Sequence, residues 1–106
     1  MPRGFGSSTI LVLQAVAGGI RYGFDIMDAT ELPSGTVYPI LGKLDEQGLV
    51  RSAWEDPRIA RREKRPPRRY YTITAAGARA LDEAMRRVTA LARRRRGPGD
   101  PSPAIG

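Results

Sequence analysis

The chain has 106 residues and neither cysteine nor histidine, which leaves room for one domain and excludes disulfides, thiolate or imidazole metal sites and histidine-based acid–base chemistry. Its 18 Lys or Arg outnumber 11 Asp or Glu, and the net charge of +7 favours a polyanionic partner. The longest apolar run, Ile10 to Leu13, is far short of the ~20 residues that cross a bilayer, and no convincing signal-peptide pattern follows Met1, so a cytoplasmic location without membrane attachment is expected.

Ile10, Leu13 and Ala17 fall at helical spacing, with Ser7 or Ser8 as N-cap and Gly18-Gly19 as the stop. A second, shorter helix is predicted from about Tyr22 to Ala29, burying Phe24, Ile26 and Met27, and Thr30 to Pro33 form a turn. The third helix is the most regular. Val37, Ile40, Leu41 and Leu44 stand at i, i+3, i+4 and i+7, with Ser34 as N-cap and Gln47-Gly48 as the stop. Its opposite side carries Gly35, Thr36, Tyr38, Pro39, Gly42, Lys43 and Glu46, where an ordinary surface helix would carry mostly Glu and Lys. Small residues let a helix approach a duplex, and hydroxyls can bond phosphates or base edges.

Two strands are predicted, Leu49 to Trp54 and Arg69 to Ile73, with Tyr70 and Tyr71 on opposite faces and Trp54 beneath the last helix. The intervening segment, Glu55 to Arg68, reads as an extended, charge-rich hairpin loop closed by Pro66-Pro67. A last helix runs from after Thr74 to about Arg96, with Leu81, Ala84, Val88 and Leu91 forming a short coiled-coil-like seam flanked by Met85 and Ala92. Its distal part cannot be buried on so small a core, so pairing with a second copy is expected. Arg93 to Arg96 suit the negative end of a helix dipole. The Gly- and Pro-rich residues 97–106 are expected to be a disordered tail.

Leu32-Pro33-Ser34-Gly35-Thr36-Val37-Tyr38-Pro39-Ile40-Leu41, then Leu44 and Gly48-Leu49-Val50, resembles the third-helix signature of PadR-type regulators. Pro66-Pro67-Arg68-Arg69-Tyr70-Tyr71-Thr72-Ile73-Thr74, followed by Gly77, resembles the second half of that family's wing, and the likeness spans roughly Ile10 to Leu91. Tyr22-Gly23-Phe24 stands where the family usually has His-Gly-Tyr, and Gly42 where a larger polar side chain is common. The resemblance implies a winged helix-turn-helix, dimerisation through the C-terminal helix and repression of nearby genes. Effector binding is common among relatives through residues that vary, so a small-molecule effector is assigned no residue here.

The expected fold is mostly α with a small β-hairpin: a winged helix-turn-helix over 7–74, a dimerisation helix over 75–96 and the tail. The expected function is sequence-specific binding of double-stranded DNA as a homodimeric repressor. Ser34, Gly35, Thr36, Tyr38, Lys43, Arg68 and Arg69 are the candidate DNA contacts; Leu81, Met85, Val88 and Leu91 are the candidate dimer contacts. No catalytic residue, cofactor or metal is expected, since Asp45-Glu46 and Asp82-Glu83 lie on exposed helix faces. The alternative is a basic RNA-binding or ribosome-associated protein, which would present exposed aromatics among its cations.

Overall fold

Helix α1 (Ser7–Ala17) and helix α2 (Gly23–Thr30) open the computed structural model, which describes residues 5–96. Helix α1 buries Val12, Leu13, Ala15 and Val16 and is ended at Gly18-Gly19, where Gly19 adopts φ +97°. Gly6 holds its cap position, so Ser7 and Ser8 are helical residues and not caps. In α2 only Ile26 is fully enclosed among the large side chains, whereas Phe24 is 74% exposed, contrary to expectation. Two positions apart on a helix means about 200° of rotation, so Phe24 and Ile26 cannot both face one core.

Helix α3 (Ser34–Glu46) lays Val37, Leu41 and Leu44 on the core, with Ile40 half-buried beside them, as the apolar spacing predicts. Pro33 occupies its cap position and Ser34 its first turn, so the serine does not cap the helix. The helix ends at Gln47, and Gly48 turns away at φ +74°.

Strand β1 (Val50–Trp54) pairs antiparallel with strand β2 (Arg69–Ile73), Val50 opposite Ile73 and Trp54 opposite Arg69. Leu49 falls outside β1 because its N–H returns to the Leu44 carbonyl at 2.9 Å and closes α3. On the outer edge of β2 the Tyr71 N–H donates to the Arg21 carbonyl at 2.9 Å, and Tyr22 bridges to Tyr70. Tyr71 enters the core at 8% exposure, while the Tyr70 and Tyr22 rings meet edge to face at 6.3 Å between centres.

The expected loop between the strands contains helix α4 (Pro57–Arg62). Asp56 caps it by accepting from the Arg58 N–H at 2.9 Å, Pro57 is its first residue, and Ala60 is buried. Trp54 does not lie beneath the last helix: it ends β1 and is 63% exposed.

Helix α5 (Ala75–Arg96) leaves the sheet across Gly77, where a Cβ would overlap the Leu49 carbonyl oxygen. That carbonyl accepts from Thr74 N–H at 3.1 Å and Thr74 Oγ1 at 3.0 Å, which seats the start of α5 on the end of α3. Ala84 is buried and Leu81 packs on the core, but Val88 and Leu91 are 47% and 60% exposed. The sheet thus joins α3 to α5 around one core of α1, α2 and α3. The expected tail, residues 97–106, lies outside the described residues.

Candidate nucleic-acid interface

On α3 the buried stripe leaves Ser34, Gly35, Tyr38, Pro39, Gly42 and Lys43 exposed, with Thr36 half-buried. Among the described residues, nothing beyond the chain neighbours and the helix's own backbone lies within 4 Å of where a side chain at Gly35 or Gly42 would begin, so this surface is open. Tyr38 is 46% exposed and its hydroxyl end covers Gly23, at the start of α2. Any larger residue at 23 would displace that ring, which explains why a glycine stands there.

The wing is organised by one carboxylate. Glu55 is 7% exposed and takes two bonds from the Arg65 guanidinium, at 2.6 and 2.9 Å, and one from the Arg68 N–H at 3.2 Å. The Arg65 bonds, with the Arg68 N–H and charge, hold its pKa at about 2 against desolvation, and the same pairing raises that of Arg65. This clasp joins the two ends of α4, because the Arg65 N–H also bonds the Ala60 carbonyl at 3.1 Å. Arg58, Arg61 and Arg62 consequently stand exposed on a fixed short helix and not on a free loop, with Lys64 exposed in the turn that follows; Arg58 pairs with Asp56 at 3.0 Å. The charge-rich sequence of this segment hides the helix. Its signal was Asp56-Pro57, a capping residue followed by the residue best suited to a first helical position.

Arg68 and Arg69 are both about half exposed, yet they are directed to opposite sides of the hairpin. The Arg68 guanidinium stacks 4.0 Å from the centre of the Tyr22 ring and lies 3.9 Å from Glu55. Arg69 instead donates to Ser52 Oγ at 2.8 Å and approaches Asp45 of α3 at 3.9 Å. Ser52 Oγ in turn donates to Asp45 at 2.9 Å, which ties the α3-facing side of the wing to that helix. The candidate DNA residues therefore form one neighbourhood around α3 and the wing, except that Arg68 faces Tyr22.

An exposed helix with a small-residue face, a helix packed across it and a cationic hairpin beyond make a helix-turn-helix with a wing. The model of the transcriptional regulator PadR-like family matches residues 12–83. The chain belongs to that family. Similar solved structures include a PadR family transcriptional regulator from Eggerthella lenta, 27% identical at a TM-score of 0.65, covering 80% of this chain and 74% of that one. A PadR family regulator from Clostridium difficile is 21% identical at a TM-score of 0.68, over 87% of this chain and all of that one. Bordetella bronchiseptica BpsR, whose DNA binding is regulated by 6-hydroxynicotinic acid, is 19% identical at a TM-score of 0.70, over 96% of this chain and 74% of that one. No curated protein sequence matches the chain.

The fold is the winged helix-turn-helix of PadR regulators, and the family consists of transcriptional regulators that act on DNA, not of enzymes. Among the described residues no helix is long and apolar enough to cross a membrane, and no three His, Cys, Asp or Glu are placed to hold a metal ion. Phe24, Tyr38 and Trp54 are exposed, so the aromatics are less confined to the core than the sequence suggests. They stand on three separate elements, and family membership gives the RNA-binding alternative no support.

Proposed function

We propose that this PadR-like regulator is a sequence-specific, homodimeric repressor acting on double-stranded DNA in the cytoplasm. The observation that carries this reading is the bare outer face of α3, with Gly35, Thr36, Tyr38, Gly42 and Lys43 beside a cationic wing braced to that helix through Asp45 and Ser52. Helix α3 enters the major groove; its first turn, with Ser34 and Gly35, approaches the phosphates, while Thr36 and Lys43 reach base edges. Arg69 and the α4 cations meet the flanking backbone, with Arg68 at its margin.

The second copy is recruited by α5. Val88 and Leu91 continue the stripe of Leu81 and Met85 past the core, and with Phe5, Ile10 and Ala84 they line an open apolar recess of about 350 Å³ between α1 and α5. A symmetric pair of α5 helices covers that surface and presents two recognition helices at a spacing of about 34–36 Å on one duplex face.

Footprinting of the purified chain on the DNA upstream of its own coding region tests the reading, followed by anisotropy titrations of the protected duplex and of random DNA. Thr36→Ala or Lys43→Ala is expected to cost ~1–3 kcal/mol of discrimination between the two. Equal weakening on both would assign the residue to phosphate positioning, and absence of duplex binding by the intact chain would overturn the function.

A further inference from the structure

Trp54 is the chain's one tryptophan, and its ring is 63% exposed. The pairing fixes which way it faces. Val50, Ser52 and Trp54 alternate onto one side of β1, opposite Ile73, Tyr71 and Arg69 of β2. Cover falls steadily along that side, from Val50 in the core to half-buried Ser52 and then to Trp54. The same side turns toward α3, since Ser52 Oγ bonds Asp45 of that helix. Arg69 extends the connection outward, with its guanidinium carbon 5.5 Å from the centre of the indole ring. An apolar ring is thereby held on a paired strand and connected, group by group, to the helix whose outer face is bare.

We propose that Trp54 is an apolar DNA contact, its ring lying against the deoxyribose edge of the strand that borders the groove entered by α3. The inference rests on the reading of α3 as the recognition helix. Between successive phosphates a DNA strand exposes a rung of sugar C–H groups, and a flat indole framed by cations matches that alternation of apolar rung and anion. Arg69 beside the ring and the exposed arginines of α4, which begins three residues on, supply the cations. Arg61 and Arg62 make no ion pair among the described residues, and a neutral protein surface would leave them so.

Because the chain has a single tryptophan, its indole emission reports on this ring alone. The probe is a duplex enriched from a random-sequence library by the wild-type chain. Binding is followed by the anisotropy of a fluorescein-labelled copy; indole emission and acrylamide quenching are followed in parallel with the unlabelled duplex. The expected result is an emission change that saturates at the midpoint given by anisotropy, with quenching reduced about twofold or more. Trp54→Ala is expected to weaken binding roughly tenfold, about 1.4 kcal/mol, with Trp54→Phe recovering most of it. The salt slope stays unchanged, since each lost phosphate contact would have moved it by about 0.9. Binding by anisotropy with unaltered emission and quenching would overturn the Trp54 contact and leave the α3 reading intact. No anisotropy change at all would overturn both. An emission change that follows protein concentration without DNA would place the ring in a contact between subunits and overturn the proposal.

Discussion

Glutamate at Val88 and Leu91 should split the proposed dimer without unfolding the subunit. The two side chains are 47% and 60% exposed, so the single chain already leaves about half of each in water. Full burial of such side chains contributes ~1.5–3 kcal/mol each, and the part still exposed corresponds to ~3–6 kcal/mol over the four side chains of a symmetric pair. At about 1.4 kcal/mol per factor of ten, losing that contribution raises the dissociation constant by two to four orders of magnitude. Val88→Glu/Leu91→Glu also places four carboxylates in the contact, which increases the effect. Neither residue belongs to the buried core, so the far-ultraviolet circular dichroism of the double variant should match that of the wild type. Sedimentation at micromolar concentration is the assay, with the wild type expected at twice its chain mass of 11.6 kDa and the variant at that mass. A wild-type chain that sediments cleanly as a monomer, or a variant that remains dimeric, refutes the assignment of α5.

Replacing Arg68 and Arg69 by Ala should flatten the slope of log affinity against log salt by one or two units per subunit, at about 0.9 per phosphate contact. The slope is the useful readout, because both arginines also brace the wing and affinity alone would fall from misplacement. Gly77→Ala should destabilise the fold by ~1–3 kcal/mol, since the new methyl meets the Leu49 carbonyl oxygen and Ile73 Cγ1 and the backbone has to shift; a urea midpoint equal to that of the wild type would contradict this. Acid should loosen the wing. The pKa of Glu55 is lowered from 4.5 to about 2 in the fold, so its stabilisation is complete above about 4.5 and is lost as pH falls toward 2. Glu55→Gln should therefore flatten the acid limb of a stability–pH profile between those values, and an unchanged limb would mean that the clasp contributes nothing.

Periodic features were legible from single residues. Val37, Leu41 and Leu44 repeat at helical spacing whatever they touch, and Tyr70-Tyr71 alternate because strands do, so α3 and β2 could be read directly. The short α2 was read less well, because eight residues contain too few turns to show which of Phe24 and Ile26 is inward. Helix α4 was obscured by its charge: the segment looks like a solvated loop until Glu55 and Arg65, ten positions apart, are seen to pair. A contact of that kind carries no periodic signature.

Contacts beyond the local sequence also separate two residues that stand side by side in it. Arg68 and Arg69 are neighbours in the chain and read as one basic contact, but adjacent residues of extended backbone, here Arg68 and the first residue of β2, face opposite sides. Arg69 belongs to the side that Asp45 and Ser52 fix against α3, and Arg68 to the side of Tyr22. Arg68 is also drawn to the carboxylate that holds α4 in place. A phosphate that recruits Arg68 would compete with Tyr22 and Glu55, whereas one that recruits Arg69 would compete with Asp45 of α3 itself. On the proposed reading, then, DNA at Arg69 bears on how α3 and the wing are held together, and DNA at Arg68 bears on how the wing is closed.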